Sequence, residues 1–243
     1  MPKTYDCIVI GVGGFGSGVL DHLAMSGLRV LGIEQFEIAH DQGSSHGDTR
    51  IIRKAYFEHP DYVPLLLRAY ELWDDLEADH GQKLREECGL LLAGPPNGDT
   101  VTGAKLSSKL HGLSLDEMTA NEAMQRFPGF SIPDEHTAVY EPEAGFLHVE
   151  ECVRAHTARS QRNSAELHVG ETVLSWQSKN GSIRVKTNQG EYEAGQLVIT
   201  AGPWADLLLK ELAVPLEVVR KPLFWHASEK SDYHLVTGIA RIG

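Results

Sequence analysis

The chain has 243 residues, 42% of them hydrophobic and 23% charged, the balance of one large globular domain or two modest ones rather than a disordered or fibrous chain. Lys and Arg number 22 against 34 Asp and Glu, a formal charge of −12 that repels nucleic acid and anionic membrane and excludes both as expected partners. No window approaches the roughly 18 apolar residues of a membrane span, and the first apolar run is too short for a signal peptide.

Cys7-Ile8-Val9-Ile10 reads as a buried strand that feeds directly into Gly11-Val12-Gly13-Gly14-Phe15-Gly16, a G-x-G-x-x-G match. A helix follows with Val19, Leu20, His22, Leu23 and Met25 in amphipathic spacing, closed by Gly27. Arg29 to Ile33 is the second strand, and Glu34 stands at its C-terminal end. Each part has a physical role. Gly11 makes the tight turn, Gly13 lets the backbone approach a pyrophosphate, and Gly16 allows close helix–strand packing, while the helix N-terminus supplies N–H groups and a positive dipole end. Glu34 can accept hydrogen bonds from ribose hydroxyls and would repel a 2′-phosphate, which argues against NADP. Strand, turn, helix, strand and acid in order make a dinucleotide site far more specific than the glycines alone, yet NAD and FAD share this pyrophosphate geometry.

Beyond a polar loop over residues 40–47, apolar spacing predicts a helix over 63–80 and a short buried strand over 89–93. A helix is expected over 114–127, strand pieces near Val139 and Phe146, and a second amphipathic helix over 149–162. Residues 167–200 alternate as a meander of three strands with turns at Asn180-Gly181 and Asn188-Gln189-Gly190. The last strand enters Ala201-Gly202-Pro203-Trp204, and a helix runs to about residue 212. A βαβ start, a long mixed insertion and a late return through a meander is unlike a compact NAD domain and leans toward FAD. The fold expected is α/β. An interrupted FAD-binding Rossmann-like domain takes residues 1–60 and 150–215, and an incomplete mixed-sheet substrate domain takes residues 61–149 and 216–243.

Residues 43–53, Gly-Ser-Ser-His-Gly-Asp-Thr-Arg-Ile-Ile-Arg, pack two arginines, a histidine and three hydroxyls just downstream of the cofactor unit. His46, Arg50 and Arg53 are spaced four and three apart, as on one helical face. Arg53 offers a bidentate fork for a substrate carboxylate, and Arg50 a fixed positive charge beside a flavin ring. The bare residues equally fit a solvated basic loop paired with some of the 34 acids. Cys7, Cys88 and Cys152 lack C-x-x-C spacing and the 12 His show no H-E-x-x-H pattern, so no metal and no disulfide framework is expected, and the compartment expected is reducing and cytoplasmic. Trp73, Trp176 and Trp225 read as core or sheet-face aromatics, and the Asp74-Asp75 and Glu86-Glu87 pairs as solvated faces.

With these residues in view, the chain resembles the monomeric sarcosine oxidase family, which includes N-methyltryptophan oxidase and peroxisomal sarcosine/pipecolate oxidase. The likeness is carried by the glycines of 11–16, by residues 43–56, and by Tyr62-Val-Pro-Leu65, Glu71-Leu-Trp73, Gly89-Leu-Leu-Leu92, Arg126-Phe-Pro128 and Val198-Ile-Thr-Ala-Gly-Pro-Trp204. It implies an FAD-dependent oxidase of secondary amino acids, N-methyl or cyclic, that passes a hydride equivalent to flavin and yields hydrogen peroxide from molecular oxygen, in a monomer. By position, Arg53 would hold the substrate carboxylate, His46, Thr49 and Arg50 would line the flavin, Val173 would give backbone contacts to adenine, and Ala201, Gly202 and Trp204 would border the cofactor. The remaining cofactor set is Gly11, Gly13, Gly14, Phe15, Gly16, Glu34, Gln35, Ser44 and Ser45. Ser45-His46 stands where bacterial members often carry two histidines. The resemblance further implies a longer protein. Its C-terminal part would bring a flavin-attaching cysteine, a lysine for oxygen activation and a Ser-Gly-His-Gly-Phe-Lys-like segment. Since the match ends near Tyr233 without them, the expectation is a truncated or frame-shifted product. The alternative reading is a non-catalytic FAD- or nucleotide-binding fragment.

Overall fold

The structure, a computed structural model, describes residues 3–222 and 239–242. β1 (Lys3–Ile10), α1 (Gly14–Met25) and β2 (Val30–Ile33) open the chain. β3 (Thr49–Ile52), α2 (Val63–His80), β4 (Arg85–Glu87), β5 (Leu90–Gly94), α3 (Asp99–His111), β6 (Asp116–Thr119), α4 (Ala120–Arg126), β7 (Thr137–Glu141) and β8 (Gly145–His148) form the middle stretch. α5 (Val149–Arg162), β9 (Glu166–His168), β10 (Val173–Lys179), β11 (Ser182–Thr187), β12 (Glu191–Ile199), α6 (Ala205–Leu209) and β13 (Ile239–Ile242) follow. The chain divides into two compact units, Met1–Asp48 with Val149–Leu223, and Thr49–His148 with Phe224–Gly243.

The first unit is built on a six-stranded sheet in the order β10-β11-β12-β1-β2-β9. β1 runs parallel to both β12 and β2, and β9 continues the parallel side. A central parallel strand is covered on both faces, so it reads as an unbroken apolar run rather than an alternation. Cys7 to Ile10 are accordingly all buried. Ile8, Ile10, Leu31 and Ile33 pack with Val185 and Ala194 on one face; Cys7, Val9 and Val30 meet Leu20 and Ala24 of α1 on the other. β10, β11 and β12 form the antiparallel meander, turning through Asn180 and Gly181, both at positive φ, as a tight hairpin requires.

α1 is tied to α5 by a buried charge cluster. Asp21 of α1 is fully buried and accepts from Arg159 Nε at 3.0 Å and Nη2 at 2.6 Å, with His156 Nδ1 at 2.7 Å. Burial alone would raise the Asp21 carboxyl, but the hydrogen bonds and charges of His156 and Arg159 outweigh it and hold the group below the usual carboxylate range.

The second unit holds a four-stranded sheet, β13-β5-β7-β6, and a three-stranded sheet, β3-β8-β4. β5 is buried along its whole length, with Leu90 and Leu92 facing Val101, Ala104 and Val139, and Leu91 facing Met118, Ala123 and Ile132.

Four readings need correction. Residues 114–127 are a strand followed by a helix, because Thr119 opens α4 with a reciprocal capping box to Glu122 and leaves Asp116–Thr119 to pair with β7. Helix α3 was not anticipated. The helical face expected for His46, Arg50 and Arg53 is absent: His46 lies in an irregular loop and Arg50 in β3, whose β-branched Thr49, Ile51 and Ile52 pair with β8. That pairing also puts residues 49–60 in the second unit, where the sequence reading had placed them in the first. Trp225 lies outside the described residues.

Candidate functional site

The glycine turn has two kinds of glycine. At Gly11, with φ +86°, an added Cβ would sit 2.7 Å from Thr200 O, and at Gly16 it would overlap Gly11 O, so these two let the turn fold onto itself and onto the end of β12. At Gly13 and Gly14 an added Cβ would instead meet Ser45 Oγ, at 3.2 and 3.0 Å. The head of α1 has no side chain capping it from Gly13 and no acid in its first turn. One of its N–H groups, Gly14 N, donates to Ser45 Oγ at 2.9 Å. Helix-terminal N–H groups left without acidic partners are the donors that an anion takes up.

Glu34 closes the opposite side. Its residue is buried, with Oε2 accepting from Val12 N at 2.7 Å and Oε1 from Phe36 N at 3.1 Å, and His40 Nε2 lies 3.5 Å from Oε1. The carboxylate is thereby fixed in orientation, and two oxygens with about four lone-pair sites retain acceptor capacity for ribose hydroxyls. Phe36 bridges His40 and Trp204, with ring centroids 4.7 and 5.3 Å away.

Between these ends lies a cleft of about 420 Å³ in the first unit, within the size range of ligand pockets. Of the sequence-expected residues it brings together Gly11, Gly13, Gly14, Phe15, Glu34, Gln35, Ser44, Ser45, Val173, Ala201, Gly202 and Trp204. Gly16 lies behind the turn, His46 is not on the cleft wall, and Thr49 and Arg50 belong to the second unit. Sequence reasoning missed His40, Val153 and Glu171 on the wall. Glu171 is buried, taking His168 Nδ1 at 2.9 Å, and its sequence signal was only its place two residues before Val173.

The loop that carries Ser45 is fastened by Glu150, in the first turn of α5. Glu150 Oε1 accepts from Gly47 N at 2.6 Å and Asp48 N at 3.3 Å, and Val149 N returns a bond to Asp48 O at 3.3 Å. Burial would raise the Glu150 carboxyl, but these backbone donors and the nearby His46 hold it below the ordinary range.

In the second unit, Arg50 Nη1 folds back on Thr49 O at 2.6 Å. Arg53, just beyond β3, is buried against the rings of Tyr56 and Phe57, 4.3 and 4.5 Å from the guanidinium carbon. Its Nη2 donates to both oxygens of Glu58, and its Nε is buried without a hydrogen-bond partner. The backbone that follows is held by Glu141, which accepts from Lys54 N at 2.6 Å and Ala55 N at 3.1 Å. Burial pushes the Glu141 carboxyl up, only partly offset by those donors. Among the described residues no group of three His, Cys, Asp or Glu is arranged for a metal ion, and no described helix is long and apolar enough to cross a membrane.

A parallel strand–glycine turn–helix with an acid ending the second strand, over a cleft of this size, defines a dinucleotide-binding α/β protein. The FAD dependent oxidoreductase family matches residues 6–237, and the chain belongs to that family. It is 42% identical over 225 residues to a monomeric sarcosine oxidase of Streptomyces avermitilis, covering 93% of this chain and 59% of that protein. It is 36% identical over 225 residues to an N-methyl-L-tryptophan oxidase of Yersinia pestis, covering 93% of this chain and 60% of that protein. The chain thus spans about 60% of the length of the curated relatives it matches. Among solved structures, NikD, an unusual amino acid oxidase essential for nikkomycin biosynthesis, superposes with TM-score 0.78 at 27% identity, over 86% of this chain and 54% of that one. Glycine oxidase from Geobacillus kaustophilus, at 21% identity and TM-score 0.74 over 88% of this chain and 60% of that one, shares the fold. The cofactor of the family is FAD, and the residues present fit it: amides at the head of α1 with no acid in that turn, and the fixed acid Glu34.

Proposed function

We propose that the protein is an FAD-dependent oxidase of secondary amino acids, N-methyl or cyclic, such as sarcosine. The pyrophosphate lies at the amides of Gly13 to Gly16, Glu34 holds the adenosine ribose, and Val173, Ala201, Gly202 and Trp204 line the cofactor. When bound, FAD would accept a hydride equivalent from the C–H bond beside the amine nitrogen, which becomes C=N as the nitrogen gives up its proton, and molecular oxygen would take the two electrons back from the flavin as hydrogen peroxide. Arg53 binds the substrate carboxylate; His46, Thr49 and Arg50 face the flavin.

The observation that carries the substrate class is Arg53 itself. Its guanidinium already holds one carboxylate, that of Glu58, and keeps a buried Nε–H without a partner. The Nη2 that grips Glu58 and the unpaired Nε–H lie on one edge of the guanidinium, which supports a carboxylate ligand that takes the place of Glu58 and uses both donors. The relatives named for sarcosine and N-methyl-L-tryptophan support the amine side of the assignment.

The test is hydrogen peroxide release with sarcosine, N-methyltryptophan and pipecolate. Amino-acid-dependent peroxide from any of the three supports the oxidase. Flavin binding with no peroxide from any of them supports the second reading, an FAD-binding chain without turnover.

A further inference from the structure

The geometry points to Glu150 as a positioning residue for the cofactor, acting through the loop that reaches the head of α1; this rests on FAD occupying the first unit's cleft. Glu150 is not among the residues that line the cleft. What it does is gather two consecutive backbone donors, Gly47 N and Asp48 N, onto one carboxylate oxygen. Both residues have positive φ, +99° and +63°, and a non-glycine residue such as Asp48 keeps that conformation only when its surroundings hold it. Two residues upstream, Ser45 Oγ sits on Gly14 N, where a phosphate oxygen would arrive.

α5 therefore braces two parts of the site at once. Its first turn holds the Ser45 loop through Glu150, and its far end holds α1 through Arg159 and His156 on Asp21. The spacing between the α1 amides and the Ser45 hydroxyl is set by one rigid helix. A carboxylate is suited to this because it accepts both N–H groups at full charge, and such bonds are about twice as strong as neutral ones.

The test compares FAD and adenosine binding by calorimetry for the full chain and for Glu150→Ala, Glu150→Asp and Glu150→Gln. Adenosine carries the ribose that Glu34 would hold and no phosphate. Losing two bonds to a charged acceptor should weaken FAD roughly 10- to 100-fold. Adenosine affinity should stay within about twofold, since neither the phosphate-side loop nor the flavin half plays a part in it. Glu150→Gln keeps an oxygen acceptor and should recover most of the loss, while Glu150→Asp, whose shorter arm cannot reach Gly47, should not. If Glu150→Ala fails to fold, Glu150→Asp carries the comparison. Unchanged FAD affinity, or parallel loss of FAD and adenosine, overturns the positioning role. A wild-type chain that takes up adenosine but no FAD overturns the cofactor assignment on which it rests.

Discussion

Arg53 and Glu58 form an unequal contact: Nη2 of the arginine lies 2.9 and 2.7 Å from the two carboxylate oxygens, while Nε of the same guanidinium is buried and unpartnered. The same guanidinium is flanked by the rings of Tyr56 and Phe57, and the proposed function gives it the substrate carboxylate in place of Glu58.

Arg53→Ala should therefore lower kcat/KM for the amino acid substrate by about 30- to 4,000-fold, chiefly through KM, as loss of a desolvated charge pair costs about 2–5 kcal/mol. Arg53→Lys should stay impaired, because a point ammonium cannot reproduce the fork. Arg50→Ala should instead alter the flavin spectrum and the reduction rate. Steady-state kinetics beside visible spectra separate the two; no effect from either arginine would contradict both roles.

The two kinds of glycine should respond differently. Gly16→Ala forces a Cβ into Gly11 O and should destabilise the fold by about 1–3 kcal/mol or more, read as a lowered Tm without ligand. Gly13→Ala, whose Cβ meets only the Ser45 side chain, nearest at Oγ 3.2 Å away, should fold and lose FAD affinity instead. Equal melting temperatures for the two variants would contradict this division.

Asp21 should govern part of the acid stability. Its folded-state pKa lies below that of an unfolded Asp, about 3.9. Its contribution is thus fully present above that value and fades as pH falls through the lowered folded value. Asp21→Ala leaves Arg159 buried and unpaired and should cost about 3–5 kcal/mol at neutral pH. Denaturant titrations from pH 2 to 7 should show the wild-type and Asp21→Asn curves converging toward acid; a constant gap would contradict the pairing.

Glu34→Ala removes the proposed ribose acceptor and also releases Val12 N. FAD binding should weaken roughly 10- to 100-fold, measured by flavin fluorescence titration. Affinity equal to wild type would place the ribose elsewhere.

Much of this was legible in the chain, for identifiable reasons. The opening βαβ unit showed because parallel strands are continuous apolar runs and the turn needs glycine at fixed places. The limits of α2 and α5 followed from apolar periodicity, and α2 ends where Gly81 takes the left-handed cap. The failures are as physical. Leu115 and Met118 mimic helical spacing, but Thr119 and Glu122 spell a capping box that starts α4 later. α3 hid behind Gly103, which weakens a helical pattern yet is needed there, since a Cβ would strike the backbone of Phe57. His46, Arg50 and Arg53 matched a helical period, but the β-branched residues among them belong to a strand. Glu58, Glu141 and Glu150 went unnoticed because a carboxylate that holds a guanidinium or backbone amides has no motif; the one hint was an acid in the first turn of a helix already expected over 149–162.

The placement of FAD at the glycine turn is tested most directly by titrating the purified chain and its Gly13→Val variant with FAD, following flavin absorbance retained after desalting and released on denaturation. The wild-type chain should retain flavin, and Gly13→Val, with branched carbon added beside Ser45 at the head of α1, should retain little. A colourless wild-type chain that binds NAD in preference, or equal flavin retention by the two proteins, would contradict it.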